Sequence, residues 1–356
     1  MSAFSVVTIS IVILLVIIRY SRKGLSWVST FCRSQFPKHD GIKSPEVKKM
    51  VPYPAQPIPG RERYRIMMNI RKLDVQNWLT LDKNYMAEHR VRDHLLREKR
   101  DKVLRCLPES IDACQEALGE VSKFLCQRFP NVFHKVTEGE KEWVENLMTK
   151  EKFDIDSCGD SSIENNTEAL EAAVRLTMED LSILLKNDEG EYYLAASASL
   201  FPTGWTVEER IGWSISRLHN PVPLWHQQVG SSVCKFLSRL TPTSPMERSN
   251  YFIEVKKPNE DLFDILYRPG ALCEKELCKL SPNEIIIRRE RQTFRRLPRT
   301  GALLFAVKTY LTPIEELPMQ ELENLAKEMK SWPDYVSEYK GKDVGSQGAG
   351  VLQQAR

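Results

Sequence analysis

The pattern of apolar and polar positions divides most of the chain into helices and strands. Apolar residues recur at helical spacing in segments that are predicted helices: 84–107, 109–129, 164–186, a segment beginning at Val207, 224–240 and 314–330. Apolar, β-branched and aromatic residues are enriched in segments that are predicted strands: 192–200, 251–255, 285–294 and 302–310. Helices that come first, followed by antiparallel strands with helices between them, predict an α+β fold.

The clearest helical stripe lies in residues 164–186. Leu170, Val174, Leu181 and Leu185 recur there at helical spacing, which predicts one amphipathic helix whose apolar side belongs to the core. The strand predicted at 192–200 is rich in alanine and serine. Such small side chains leave room beside a sheet, which is what a flat cofactor needs.

An arginine-rich hairpin is predicted at residues 288–310, which read RRERQTFRRLPRTGALLFAVKTY. A turn containing Pro298 and Gly301 joins the basic arm to an apolar arm, so the two arms are expected to pair as antiparallel strands. Because side chains alternate along a strand, Arg288 and Arg291 point to opposite faces. Two interpretations stay open. The arginines form a solvated face paired with acidic residues, or they bind the carboxylates or phosphates of a cofactor.

Composition narrows the class of protein. The 356 residues are 42% hydrophobic, enough for one large or two ordinary domains, and the net charge of +3 does not indicate a nucleic-acid partner. The eight cysteines contain no C-x-x-C pair, a pattern typical of reduced cysteines in a cytosol-facing protein. Cys273 and Cys278 are spaced as in a plant-type iron–sulfur site, but the third cysteine is missing, so no cluster is expected.

The ends of the chain differ from its body. Residues 4–18 form an uncharged apolar run followed by Arg19, Arg22 and Lys23, which predicts an uncleaved single-pass anchor over residues 1–23 with the body in the cytosol. The run is short for a bilayer, so the thin endoplasmic reticulum membrane fits best, and shallow interfacial insertion is the alternative. A proline-rich linker over 24–60, a folded domain over 61–341 and a disordered tail over 342–356 complete the predicted organisation.

Several short motifs occur in a fixed order along residues 54–341. They are Ile70-Arg71-Lys72-Leu73-Asp74 with Trp78, Glu179-Asp180-Leu181, Phe201-Pro202 with Trp205, Leu218-His219-Asn220-Pro221-Val222-Pro223, the run from Arg288 to Gly301, and Glu338-Tyr339-Lys340-Gly341. With these motifs the chain resembles the haem-dependent oxidative N-demethylase alpha-subunit-like family. The resemblance implies a PAS-like antiparallel sheet with flanking helices that holds haem b on one face.

One histidine and two arginines are the candidate haem residues. His219 lies in a proline-stiffened frame that fixes its ring, and the resemblance favours it as the iron ligand, with His226 as the fallback. The alternative is a helix-end histidine that caps backbone carbonyls. Haem propionates need cationic partners, for which Arg288 or Arg291 is the candidate.

Other residues near these candidates have open roles. Glu290 either orients an arginine or accepts a proton or an amine, so the catalytic acid is left unassigned. Trp205, Trp213 and Trp225 either line an apolar pocket near His219 or belong to an ordinary core.

The leading hypothesis joins the anchor predicted from the N-terminal run to the activity that the resemblance implies, and it is a membrane-anchored haem monooxygenase-like enzyme. Such an enzyme oxidises an amine substrate at an N-methyl carbon and releases formaldehyde. The chain has no G-x-G-x-x-G motif and no clustered cysteines, so its electrons are expected from an external redox partner that uses NAD(P)H, flavin or an iron–sulfur centre. The alternatives are a PAS-like haem sensor and an interaction protein that has lost its haem.

Overall fold

A computed structural model describes residues 47–155, 167–270 and 284–341. In these residues the strands are β1 (Arg71–Lys72), β2 (Leu104–Cys106), β3 (Phe133–Glu138), β4 (Lys141–Asn146), β5 (Glu151–Asp154), β6 (Asp180–Lys186), β7 (Tyr192–Ala198), β8 (Met246–Val255), β9 (Ile285–Arg296) and β10 (Leu303–Pro313). The α-helices are α1 (Tyr85–Glu98), α2 (Arg100–Val103), α3 (Ile111–Arg128), α4 (Glu168–Leu176), α5 (Val207–Arg210), α6 (Ile215–Leu218), α7 (Gly230–Arg239), α8 (Leu262–Leu266), α9 (Met319–Ser331) and α10 (Asp334–Gly341). A π-helical turn (Trp225–Val229) precedes α7 directly.

A large antiparallel sheet organises these elements. Its seven strands lie in the order β1-β8-β9-β10-β6-β7-β2, and β3, β4 and β5 form a separate three-stranded sheet. Helices flank the large sheet, so the predicted α+β class with an antiparallel sheet and flanking helices is confirmed.

The predicted arginine-rich hairpin is present. β9 pairs antiparallel with β10 from Arg296 opposite Leu303 to Ile286 opposite Pro313. Gly301 turns the chain with a φ of 71°, a left-handed value that glycine adopts without a Cβ penalty. The hairpin places β9 between β8 and β10, in the interior of the sheet.

The single helix predicted over residues 164–186 is wrong beyond residue 176. Helix α4 ends at Leu176, where Thr177 Oγ1 donates hydrogen bonds to the carbonyls of Val174 and Glu179. The chain then enters β6, which is buried between β10 and β7. A strand buried on both faces is almost continuously apolar, and a short run of that kind also fits a helical stripe.

The other predicted elements are confirmed with shifted ends. The helix predicted over 84–107 ends earlier, because residues 104–106 form the edge strand β2, and the strand predicted at 251–255 begins five residues sooner, at Met246. The helix predicted from residue 314 is a 3₁₀ turn (Ile314–Glu316) followed by α9.

The large sheet has two different faces, because directly opposed residues of antiparallel strands share a face. We call the side that carries Arg289, Arg291 and Thr293 the covered face. Its apolar residues, such as Leu181 and Leu304, pack in the main core with α1, α3 and α4, and α9 packs over its far end. We call the opposite side the open face. The Trp225 turn and α7 pack over one end of it.

The segment before β1 packs on the domain without further regular structure after a 3₁₀ turn (Val47–Lys49). Ile58 is buried against α9, and its backbone N–H donates to Glu321 Oε1 at 2.9 Å. The predicted anchor (1–23), the tail (342–356) and the pair Cys273 and Cys278 lie outside the described residues. Among the helices that are described, none is both long enough and apolar enough to cross a membrane.

Candidate functional site

His219 lies at the end of α6, directly after Leu218. Its Nδ1 atom is 2.8 Å from the carbonyl oxygen of Ile215, one turn earlier in the chain. The ring stacks on Trp225, with 3.9 Å between ring centroids and 9° between ring planes. The backbone hydrogen bond and the stacked ring together fix the orientation of the imidazole.

The surroundings of His219 keep its ring neutral. Burial lowers the pKa of His219 to about 4, and the positive charges of Arg248 and Arg210 act in the same direction. Because a carbonyl oxygen only accepts hydrogen bonds, Nδ1 must carry the proton of the neutral ring. Nε2 therefore holds the lone pair, and it has no hydrogen-bond partner in the part of the chain that the structure describes. His219 thus presents an unprotonated, oriented nitrogen, which is the form that binds a metal ion.

The middle of the open face is a strip of half-buried side chains, which we call the open strip. Its members come from three adjacent strands: Arg248, Asn250 and Phe252 on β8, Glu290, Gln292 and Phe294 on β9, and Phe305 and Val307 on β10. The rings of Phe294 and Phe305 lie 5.0 Å apart, and Phe236 of α7 meets Phe294 edge-on at 5.5 Å. The strip therefore combines an aromatic surface with polar groups.

Glu290 is the acidic member of the open strip. Gln292 Nε2 donates to its Oε2 atom at 2.9 Å, whereas Oε1 has no hydrogen-bond partner among the described residues. Burial raises the pKa of Glu290 above its usual range, and the nearby charge of Arg288 and the bond from Gln292 oppose that shift in part.

Arg288 lies on the open face but at its buried end. Its side chain is inaccessible to solvent, and it donates hydrogen bonds to the carbonyls of Phe201, Ile265 and Leu266. Glu254 lies 3.6 Å from its Nη1 atom. Arg288 therefore already joins β9 to the segment around α8.

Arg291 lies on the covered face. Its Nε atom is 2.8 Å from Glu247, its Nη2 atom donates to the carbonyl of Asn77 at 2.6 Å, and its guanidinium lies 4.2 Å from the centre of the Tyr53 ring. Because Arg288 and Arg291 occupy opposite faces, one ligand on one face cannot bind both. The structure does not bring the two sequence-based candidates together.

Arg248 is the residue that sequence reasoning missed. It is half-buried in the open strip, and its charge acts on both His219 and Glu290. The strand predicted to begin at Tyr251 left Arg248 outside any element. The alternation of residues 246–255 would have placed it on the face of Glu290, because strand side chains point to either face in turn.

The remaining histidine and tryptophan candidates differ in their exposure and in their contacts. His226 is exposed, and its Nε2 atom lies 2.9 Å from Asn220 Oδ1. Of the three candidate tryptophans, Trp225 is buried against His219, whereas Trp205 and Trp213 are half-buried beneath the guanidiniums of neighbouring arginines.

No chelating cluster accompanies His219 in the described residues. Within 47–155, 167–270 and 284–341, no group of three or more His, Cys, Asp or Glu side chains is placed to hold a metal ion. His219 therefore stands as one potential ligand beside an apolar and cationic surface.

Comparison with known protein families gives a match over most of the chain. A family model described as "Haem-dependent oxidative N-demethylase, alpha subunit-like" matches residues 69–348. The match covers more than half of the chain and includes His219 and the strands that carry the open strip.

Proposed function

The chain belongs to the haem-dependent oxidative N-demethylase, alpha subunit-like family, and from this premise we propose that it binds haem b on the open face through His219 and oxidises an amine. The observation that carries the proposal is the state of His219. Its ring is neutral, its Nδ1 proton is bound to a backbone carbonyl, and its Nε2 lone pair is unused among the described residues.

The residues of the open face fit the chemical needs of haem. Iron needs a neutral imidazole nitrogen, which His219 supplies. The macrocycle needs a flat apolar surface, and the half-buried Phe294 and Phe305 lie side by side on the same face. The propionates need a cationic donor, and Arg248 is the half-buried guanidinium of the strip.

Among the arginines, Arg248 is the propionate partner that we favour, because it is half-buried on the same face as Phe294 and its charge acts on His219. Arg288 and Arg291, the two candidates from the sequence, are both buried, and Arg291 lies on the opposite face. Arg288 and Arg291 remain the alternatives, and a measurement of haem retention distinguishes them from Arg248.

We propose that the use of the sheet is PAS-like, with the cofactor lying against one face. The Trp225 turn and α7 close one end of that face, and Arg288 and the segment around α8 close the other. These elements hold the ligand histidine and bound the apolar surface at its two ends.

The proposed reaction converts an N-methyl amine, dioxygen, two electrons and two protons into a carbinolamine and water. Haem, when bound, supplies the oxygen-activating chemistry. The carbinolamine then breaks its C–N bond, which releases formaldehyde and the demethylated amine. The two electrons come from an external partner protein that carries reduced flavin or an iron–sulfur centre and is fed by NAD(P)H.

The test of this function uses the full chain supplied with haem, a reducing system and N-methyl amines of increasing size. Demethylation is expected to yield one formaldehyde for each two electrons consumed in the presence of substrate. Oxygen binding without consumption of reductant for any amine would contradict the enzymatic proposal and favour a haem sensor. Absence of haem binding would favour the third alternative, an interaction protein.

We also propose that residues 4–18 anchor the protein in the endoplasmic reticulum membrane with the domain in the cytosol. The proposal rests on the uncharged run and the basic residues that follow it. Protease treatment of sealed microsomes is expected to digest the domain without detergent. Protection of the domain until detergent is added would contradict this topology.

A further inference from the structure

Glu290 is a carboxyl group that the proposed haem contacts leave unused. It lies in the open strip, opposite Asn250 on β8 and Thr309 on β10, in the middle strand of the three. Its carboxyl group is held on one side only, because Gln292 donates to Oε2 and no described residue bonds to Oε1. The carboxyl group of Glu290 therefore has one oxygen atom without a hydrogen-bond partner in the described structure.

The charged groups around Glu290 come from two strands. Arg288 lies on its own strand, and Arg248 and Glu254 lie on β8, whereas its neighbour on β10 is the uncharged Thr309. Burial is the largest influence and raises the pKa of Glu290, the two arginines lower it, and Glu254 raises it again. The net direction is upward, so Glu290 keeps its proton at higher pH than an ordinary glutamate.

We propose that Glu290 is a proton donor of the open strip, a role that rests on the proposed function. In the reaction one oxygen atom of dioxygen enters the N-methyl C–H bond and the other leaves as water. Cleavage of the O–O bond needs two electrons from the external flavin or iron–sulfur donor and two protons for the departing oxygen atom. Glu290 gives one of these protons from Oε1 and recovers it from solvent, and the second proton also comes from solvent.

The partial exposure of Glu290 matches this cycle. Glu290 is half-buried, whereas Glu88 and Glu179 are buried in the interior. A donor that is sealed from water could give its proton once without recovering it, and a fully exposed donor would have an ordinary pKa. Glu290 combines a raised pKa with contact to solvent.

The main test compares Glu290→Gln with Glu290→Asp and with Glu120→Gln in the haem-loaded full chain. Glu120 is a matched control, because it is also half-buried and carboxylate-bearing but pairs with Arg295 on the covered face. Glu290→Gln keeps the shape and cannot donate a carboxyl proton, so turnover is expected to fall about 100-fold while haem affinity stays unchanged. Glu290→Asp is expected to recover part of the rate.

The pH profile gives a readout that a structural role would not change. A group that must be protonated supports turnover below its pKa and fails above it, so the wild-type rate is expected to fall with rising pH. In Glu290→Gln the rate is expected no longer to fall with rising pH. This variant is also expected to release peroxide in place of formaldehyde. Wild-type turnover, or a rate that still falls with rising pH, in Glu290→Gln overturns the proposal, and so does loss of haem affinity in that variant.

A measurement without haem separates this inference from the proposed function. In the haem-free full chain, the infrared C=O stretch of protonated carboxyl groups is expected to lose one component in Glu290→Gln and to keep it in Glu120→Gln. If the wild type loses this component in the pH range of an ordinary glutamate, the donor role is wrong even where haem binds. If it is present and haem does not bind, the proposed function fails and Glu290 is not a donor in that reaction.

Discussion

Both faces of the seven-stranded sheet carry charged groups, which differ in how they are bonded. On the covered face Arg291 pairs with Glu247, and Lys308 Nζ bonds both oxygens of Glu88 at 2.8 and 2.6 Å, with all four side chains buried. On the open strip, Glu290 has an unbonded oxygen in the described structure. Paired charges in an interior hold elements together, whereas an incompletely bonded group is available to a ligand.

The comparison teaches that an arginine-rich strand is not one functional surface. Consecutive arginines of β9 point to opposite sides of the sheet, so Arg291 ties β9 to the segment before α1 while Arg288 ties it to the segment around α8. The strand is basic because each face needs guanidiniums to satisfy carbonyls and carboxylates that folding buries. In the proposed function, haem is contacted by residues of the open strip.

The largest expected effect comes from removing a paired charge on the covered face. Arg291→Ala leaves the buried Glu247 with Arg71 as its remaining ion-pair partner among the described residues, and it removes the donors to the carbonyls of Trp78 and Asn77. Breaking a buried pair on one side costs about 3–5 kcal/mol, so the free energy of unfolding in urea is expected to fall by about that amount. Arg299→Ala, whose exposed guanidinium pairs with exposed Asp112, is the control and is expected to cost about 0–1 kcal/mol. Equal effects of the two substitutions would show that the covered face is not held by its charges.

Haem retention provides the second way to separate the faces. Arg248→Ala is expected to speed transfer of haem to an apo-globin acceptor about ten- to a hundredfold, because a charge-assisted hydrogen bond contributes about 1.5–3 kcal/mol. Arg291→Lys and Arg288→Lys keep their charges in place and are expected to retain haem as the wild type does. Faster transfer in either lysine variant, with Arg248→Ala unchanged, would move the propionates to the original candidates.

A smaller effect is expected from the pH dependence of stability. The pKa of His219 is about 4 in the folded protein and about 6.5 in an unfolded chain, so between these values the unfolded state binds more protons. Folding without haem should therefore lose stability as the pH falls from 6.5 to 4, by on the order of 2 kcal/mol from this group. His219→Phe keeps an aromatic ring beside Trp225 and cannot titrate, so its stability is expected to depend less on pH in that window. A parallel pH dependence in both proteins would mean that His219 is not held neutral by its surroundings.

The sequence predicted the hairpin better than the helix before it. Period-2 alternation and a proline–glycine turn identified β9 and β10, because local chemistry specifies a hairpin. The continuous apolar run of Asp180–Lys186 gave a false helix, since its strand character depends on burial between β10 and β7. In the candidate site, the sequence singled out His219 by its rigid frame and by resemblance, which remains a prediction. Arg248 joins the candidate site only through the register of β8 with β9.

The most direct measurement of the central claim is the absorption spectrum of the full chain with haem, taken for the wild type, His219→Ala and His226→Ala. His219 presents Nε2 from a fixed ring, and the exposed His226 is occupied with Asn220, so the two histidines form a matched pair seven residues apart. The account predicts that His219→Ala loses or shifts the Soret band and that His226→Ala keeps the wild-type spectrum. A wild-type Soret band in His219→Ala would contradict the assignment of His219 and of the open face as the haem site.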